Sequence, residues 1–218
     1  MKANNSKQIT VNKKKITIID QLKPKQTFTV RDGEEKTFFI LLVDGKDQSG
    51  DVTIKIRGSN AKANIVGCIV GYQDQKIEIN SVQDHQKKES TSDLLIKSVL
   101  FDRSMLYYKG LINIAKDAQK SNAYQKNQNL LIGKHSWADS RPYLEILAND
   151  VRCTHAATIG KIDRQQLYYL QTRGLDESQA KKALITGFLS EILERVEDER
   201  LKLNLQNIID KKITQLMN

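Results

Sequence analysis

The sequence predicts a mainly β protein that ends in an α-helical region, with a boundary near residue 162. From Lys7 to Ile162, short runs carry apolar residues at every second position, as in Val52, Ile54 and Ile56. This period places the side chains on one face of a β-strand. After Ile162 the apolar residues recur every three or four positions, which is the period of an amphipathic helix. We therefore predict a β region over residues 1–162 and a helical region over residues 163–218.

The predicted strands follow one another with polar or glycine-containing segments between them. Their period-two residues are Ile16 and Ile18; Phe28 and Val30; Phe39 and Leu41; Val52, Ile54 and Ile56; Ile77 and Ile79; Ile112 and Ile114; Leu130 and Ile132; and Leu144 and Ile146. Asp32-Gly33 and Asp44-Gly45 are candidate hairpin turns. Strands of this kind fit a sandwich, a barrel or a solenoid. Between Leu111 and Ile159 the apolar pairs return about every fifteen to twenty residues, a spacing that one β-helix coil could occupy.

The helical region is predicted to contain three helices. Asp163 is a natural N-cap for the first, and Gly174 stands where a C′ glycine ends a helix. Asp176 begins the second helix, and a third amphipathic segment follows. The second helix has an i+4 apolar stripe consisting of Ala180, Leu184, Phe188, Ile192 and Val196. These faces either pack on each other and on the β region or dock a partner protein.

Composition excludes several classes of function. Lys plus Arg number 35 and Asp plus Glu 26, a net charge of +9, but the basic residues are scattered and the longest run is Lys13–Lys15. A solvated basic surface is therefore favoured over a nucleic-acid site. Two cysteines exclude a disulfide framework and a four-cysteine metal site.

The predicted location is the cytoplasm, and no membrane partner is expected. Met1–Lys15 has no apolar segment of the kind found in signal peptides. No apolar run approaches the ~18 residues of a membrane span. The chain also lacks the GxxxxGK[ST] pattern, so it is not expected to bind a nucleotide.

Several blocks of residues carry a family resemblance. In chain order they are Lys109–Ile114, Asp117–Lys120, Ala123–Asn127, Asn129–Ile132, Ala138–Pro142, Leu144–Ile146, Asn149–Gly160, Leu167–Leu170 and Arg173–Leu175. At these spacings the segment from Tyr108 to Phe188 resembles the C-terminal core of the SufB/SufD family of the SUF iron–sulfur cluster assembly system. Any one block is a weak signal, whereas their ordered combination is specific.

The resemblance implies a right-handed parallel β-helix followed by a C-terminal α-helical region, with residues 1–107 as earlier coils. It implies that members pair through their β-helices and that each helical end binds a SufC-type ATPase. Ala156 follows His155 where the SufB-like branch has Glu, and Cys153 precedes it. The chain therefore resembles the SufD-like branch. It lacks the N-terminal helical region usual in the family, so a short form is expected.

The function implied by the resemblance is a non-enzymatic scaffold subunit that acts with a SufC-type ATPase and a SufB-like subunit. The alternative is the sole β-helix subunit of a reduced system, which would pair with a second copy of itself. Leu184, Phe188 and Ile192 are the candidate residues of the ATPase-docking helix, and the docking region is residues 163–218.

Cys153 and His155 are the candidate metal ligands. At i and i+2 on one strand they point to the same face, and thiolates and imidazoles both bind iron. The resemblance implies a transient iron–sulfur cluster whose other ligands come from a partner subunit. The alternative for Cys153 is a small buried hydrophobe, which is also the expectation for Cys68. His85 and His135 are expected to be solvent-exposed bystanders.

Two other functions compete with the scaffold. Many parallel β-helices cleave polysaccharides, but no acidic cluster stands out on the strands. An architectural role on nucleic acid would follow from the net charge of +9, and would show a steep salt dependence of binding. Neither has a motif in the sequence.

Overall fold

The computed structural model describes the backbone of residues 7–11 and 14–217 and the side chains of residues 16–217. The basic run Lys13–Lys15 and the Met1–Lys15 segment lie outside the described side chains. The strands are β1 (Lys7–Val11), β2 (Lys14–Ile19), β3 (Gln26–Val30), β4 (Glu35–Leu42), β5 (Gln48–Ile56), β6 (Lys62–Gly71), β7 (Lys76–His85), β8 (Thr91–Leu100), β9 (Met105–Ile114), β10 (Asn122–Leu131), β11 (Trp137–Ile146) and β12 (Arg152–Lys161). The helices are α1 (Arg164–Thr172), α2 (Glu177–Glu194) and α3 (Glu199–Met217).

From β2 onwards, successive strands alternate between two sheets. One sheet, which we name sheet A, has the order β1-β2-β4-β6-β8-β10-β12, and the other, sheet B, has the order β11-β9-β7-β5-β3. Apart from the antiparallel pair β1 and β2, neighbouring strands are parallel. The chain therefore winds as a parallel β-helix, which confirms the predicted fold class and excludes the sandwich and the barrel.

The coil length predicted from the apolar spacing was wrong. Thr91 pairs with Lys62, 29 residues earlier, and with Asn122, 31 residues later. One coil thus contains two strands and two corners, and the predicted interval of fifteen to twenty residues corresponds to half a coil. The apolar pattern repeats once per strand and not once per coil, because both strands of a coil alternate in the same way.

The candidate hairpin turns at Asp32-Gly33 and Asp44-Gly45 do not form hairpins. The strands that flank each glycine belong to different sheets and do not pair. Gly33 and Gly45 have φ angles of +64° and +79°. The left-handed conformation turns the chain from one sheet to the other at a coil corner, where glycine has no Cβ to oppose it.

Two apolar layers stabilise the β-helix. The first lies between the sheets, in the lumen, and includes Leu94 and Ile96. The second lies on the outer face of sheet A, where Leu95 and Val99 pack with residues of α2 and α3. Burial on both faces explains why β8 lacks the alternating pattern and was not among the predicted strands.

The helix boundaries confirm the predicted caps. The Asp163 carboxylate accepts a hydrogen bond from the Gln165 backbone N–H (2.7 Å), and Asp176 forms a capping box with Gln179. Gly174 follows α1 with a φ of +94°. The buried face of α2 differs from the predicted stripe and consists of Ala180, Ile185, Leu189 and Ile192. Residues spaced by four drift by about 40° per step around a helix of 3.6 residues per turn, so the members of a strict i+4 stripe do not all lie on one face.

A buried lysine fixes α2 on sheet A. Lys97 Nζ lies 2.6 Å from a Glu191 carboxylate oxygen and donates to the Phe188 carbonyl at 2.7 Å. Lys126 and Arg195 extend the contact, 3.6 Å from Glu191 and 2.9 Å from Asp93 respectively. A buried ammonium group needs such partners because its desolvation is otherwise uncompensated. Among the described residues no helix is long and apolar enough to cross a membrane.

Candidate functional site

The C-terminal end of the β-helix is open. β12 is the last strand of sheet A and β11 the last strand of sheet B, and no other strand of the described chain pairs with their outer edges. Apolar residues at this end remain exposed, namely Tyr143, Leu144, Ile146, Leu147 and Ile159. An unpaired strand edge beside exposed apolar side chains is a surface that readily accepts another chain.

Cys153 and His155 lie on β12 at this open end. In the parallel ladder Cys153 is opposite Ala123 and His155 is opposite Gln125. Because Ala123 and Gln125 are buried in the lumen, the two candidate ligands continue the inward-facing rows of the β-helix. Both side chains therefore point to the same face, although no further coil covers them in the described chain.

The environments of the two side chains differ. Cys153 is half-buried against a small apolar cluster that contains Ala123 and Ala148, and burial raises the pKa of its thiol. His155 is exposed. Cys68 is fully buried on the outer face of sheet A, and burial raises the pKa of its thiol to about 12. Cys68 thus has the surroundings of a structural residue, whereas Cys153 borders solvent.

The described residues do not contain a complete metal site. Nowhere among them do three His, Cys, Asp or Glu side chains converge. A thiolate and an imidazole are good ligands for iron, but a cluster held by the protein needs more than two ligands. Cys153 and His155 alone would therefore leave a cluster incompletely coordinated. The remaining ligands would have to come from outside the described part of the chain.

A layer of buried amides lies directly beneath β12. Gln125, Asn127 and Asn129 point into the lumen from β10 and are 1%, 1% and 3% exposed. They lie opposite His155, Ala157 and Ile159 in the ladder. We did not predict this layer, because an interior face made of amides does not produce the apolar alternation of a buried strand. The signal in the sequence is the equal spacing of the three amides.

The prediction that His85 is solvent-exposed was wrong. His85 is the last residue of β7 and is 0% exposed. Its Nδ1 and Nε2 atoms each lie 2.7 Å from a hydroxyl oxygen, those of Ser90 and Ser92. Burial lowers the pKa of His85 to about 4. The charged residues that follow His85 form the coil corner. The alternation of side chains along β7 points the His85 ring into the lumen. His135 is exposed, as expected.

The buried imidazole is expected to make stability depend on pH. Because the folded-state pKa of about 4 lies below the ordinary value of 6.5, protonation favours the unfolded chain. The contribution of neutral His85 to the free energy of unfolding is complete above pH 6.5 and falls by about 3 kcal/mol as the pH decreases to 4. Urea unfolding between pH 7 and pH 4 measures this slope. His85→Gln should flatten it, whereas His135→Gln, at an exposed site, should leave it unchanged. An equal slope in wild type and His85→Gln would contradict the assignment.

The candidate docking residues occupy different environments. Ile192 is 0% exposed and packs in the layer between α2 and sheet A, so it offers no surface to a partner. Phe188 is half-buried at the edge of the same layer. Leu184 is also half-buried and lines a groove of about 480 Å³ between α1 and α2, together with Asp163, Gln165, Gln166, Tyr169 and Leu170. Of the three, Leu184 is the residue that borders an open groove.

Helix α1 packs loosely on the rest of the chain. None of its described residues is buried, and Tyr168 and Tyr169 are 69% and 56% exposed. The guanidinium of Arg173 lies over the Tyr169 ring at 5.0 Å. Exposed tyrosines next to an apolar groove have the composition of a protein-binding surface.

Comparison with known proteins identifies relatives of the chain. A family model described as "SUF system FeS cluster assembly, SufBD core domain" matches residues 25–188. The chain is 33% identical over 161 residues to the iron-sulfur cluster assembly protein SufD of Escherichia coli (strain K12), which is 74% of this chain and 38% of that protein. It is 29% identical over 183 residues to the protein of the same name from Bacillus subtilis (strain 168), covering 84% of this chain and 42% of the relative. The chain therefore spans about two-fifths of the length of these relatives.

Proposed function

The chain belongs to the SufBD core family of the SUF iron–sulfur cluster assembly system and is SufD-like, and on this premise we propose that it is a non-catalytic scaffold subunit of cluster assembly. It would act with a SufB-like subunit and a SufC-type ATPase. The observation that carries the proposal is the pairing of Cys153 with His155 on the inner face of an uncovered terminal coil.

The chemistry of these two side chains suits a cargo that must leave again. Iron–sulfur clusters are held by cysteine thiolates and in some proteins by histidine. Two ligands from one chain would hold a nascent cluster only while the partner supplies the others. Because burial raises the pKa of the Cys153 thiol, the free side chain stays protonated near neutral pH, and iron binding would displace its proton.

The open end of the β-helix is the proposed surface for the second β-helix subunit. Its free strand edges can accept hydrogen bonds from another sheet, and exposed Tyr143, Leu144 and Ile159 can supply an apolar interface. Pairing there would bring the partner's ligands to Cys153 and His155. The partner would be a SufB-like subunit or, in a reduced system, a second copy of this chain.

The groove between α1 and α2 is the proposed docking surface for the SufC-type ATPase. The groove has Leu184 on its wall, and the adjoining α1 exposes Tyr168 and Tyr169. Ile192 would contribute only indirectly, by holding α2 on sheet A. Hydrolysis of ATP would be the task of the partner. We propose the cytoplasm as the location of the chain.

Anaerobic reconstitution with ferrous iron and sulfide tests the proposal. The chain is mixed with a SufB-like subunit, or kept alone, and cluster formation is followed by visible absorbance. His155→Ala should lower the affinity for iron roughly tenfold or more, since even residues behind the ligands of a metal site contribute that much. His135→Ala, at an exposed histidine in the corner between β10 and β11, is the control.

Two outcomes would contradict the scaffold function. One is cluster formation of equal yield with wild type, His155→Ala and the double variant Cys153→Ser, His155→Ala. The other is the absence of any cluster in wild type with every combination of partners.

A further inference from the structure

On sheet A, inward-facing rows that are apolar in β8 become polar in β10, the next strand towards the open end. Leu94 and Ile96 of β8 face inward and lie opposite Gln125 and Asn127 of the amide layer. One coil later the same rows contain Gln125 and Asn127, and a further coil brings His155 and Ala157. A leucine at each amide position would continue the apolar layer, and buried amides are tolerated only when they are hydrogen-bonded.

The Asn129 side chain makes three hydrogen bonds inside the lumen. The Ser98 hydroxyl donates to Asn129 Oδ1 at 2.7 Å. Asn129 Nδ2 donates to Asn127 Oδ1 at 2.7 Å and to the backbone carbonyl of Thr158 at 3.2 Å. A connected chain of hydrogen bonds thus runs from β8 through the side chains of β10 to the main chain of β12.

Strand β12 has few other attachments. No residue between Arg152 and Lys161 is buried, and β10 is its only neighbour in sheet A among the described strands. Helix α1, which follows it, also has no buried residue in the described structure. Segments with little buried apolar surface open locally at low free energy. The bond from the lumen to the β12 main chain is therefore an attachment in addition to the ladder with β10.

We propose that Asn129 is a positioning residue that, with Ser98 and Asn127 behind it, tethers the strand presenting Cys153 and His155. The tether fixes the Thr158 carbonyl, three residues beyond His155, and so holds both side chains in their inward-facing rows. That β12 carries cluster ligands rests on the proposed function. The tether itself rests only on the contacts of Asn129.

Hydrogen–deuterium exchange of the full chain tests the tether. Asn129→Leu keeps the side-chain size and removes both donors and the acceptor, and Ser98→Ala removes only the bond that fixes the amide. We expect the protected amides of β12 to exchange roughly tenfold faster in Asn129→Leu, relative to those of β8, and less so in Ser98→Ala. Using the ratio between strands separates local opening of β12 from a general loss of stability.

Gln48→Leu is the matched control. Gln48 is also buried, and its side chain accepts a bond from the Leu22 backbone N–H, far from β12 in the coil order. This variant should leave the ratio of exchange between β12 and β8 unchanged. An unchanged ratio in Asn129→Leu, or an equal increase in Gln48→Leu, would overturn the proposal.

A cobalt titration links the tether to the ligands. Absorbance of Co²⁺ bound to a thiolate and an imidazole should be weaker or shifted in Asn129→Leu, and lost in the double variant Cys153→Ser, His155→Ala. If the double variant binds Co²⁺ like wild type, the proposed ligands are wrong while the exchange result still stands. If exchange is unaffected, the tether is wrong whatever the reconstitution with iron and sulfide shows.

Discussion

Replacing Ile192 by aspartate is expected to reduce the free energy of unfolding by about 4 kcal/mol or more and to release α2 from the β-helix. Ile192 is 0% exposed and belongs to the apolar layer formed by α2, α3 and the outer face of sheet A. A carboxylate at this position would be buried among the apolar side chains of this layer. Because the layer includes Phe39, Val66 and Leu95 of sheet A, its opening would also expose the β-helix itself.

Urea unfolding and binding to a SufC-type ATPase together separate stability from docking. Tyr169→Ala changes an exposed side chain beside the groove, so its free energy of unfolding should stay within about 0.5 kcal/mol of wild type. Its ATPase binding should nevertheless weaken at least about tenfold, as for an aromatic interface residue. A stable Ile192→Asp variant that simply fails to bind would mean that Ile192 faces the partner after all.

These substitutions are sharper tests of docking than removal of residues 176–218. The deletion would take away α2 and α3, which cover the outer face of sheet A. Loss of ATPase binding by the shortened chain would then follow from aggregation as readily as from loss of the docking surface.

Gly58→Ala is expected to destabilise the β-helix by about 3 kcal/mol. A Cβ atom on Gly58 would lie 2.1 Å from both the Arg31 carbonyl carbon and the Asp32 backbone nitrogen. These atoms belong to the corner of the neighbouring coil, which cannot move aside as a flexible side chain can. The two stacked corners would have to separate.

Gly187→Ala provides the opposite expectation with the same chemical change. Gly187 lies within α2, and an added Cβ would meet no atom within 4 Å. Alanine in a helix interior is more favourable than glycine by about 0.5–1 kcal/mol, so the variant should be more stable than wild type. Chemical denaturation of both variants measures the difference. A Gly58→Ala variant as stable as Gly187→Ala would show that the corners do not stack closely.

The sequence pattern located β5 and β7, which each have one buried face, and missed β8, which is buried on both faces. β5 and β7 alternate between buried and more accessible positions and were predicted from Val52, Ile54, Ile77 and Ile79. β8 is covered by the lumen on one side and by α2 on the other, so its apolar residues are consecutive. Period-two alternation reports solvent on one side of a strand, and it disappears when both sides are covered.

Local sequence gave the helix ends but not the buried side of a helix. Asp163, Asp176 and Gly174 act within one turn of the chain, so their roles could be predicted without the fold. The buried side of α2 depends on where sheet A lies, and Lys97, Glu191 and the Phe188 carbonyl settle that position. The helical period alone marked Ile192 as a candidate docking residue, whereas the structure shows that it is buried against sheet A.

The sequence by itself determined the alternation of strands, the change to helices near residue 162, the helix caps and the common face of Cys153 and His155. Each of these depends on residues close together in the chain. Only the tertiary structure decided that a coil is about 30 residues long, that His85 is buried while His155 is exposed, and that an amide layer supports β12. These features depend on which strands are stacked. Contacts between coils join residues about 30 positions apart, and the local period of the sequence does not indicate that separation.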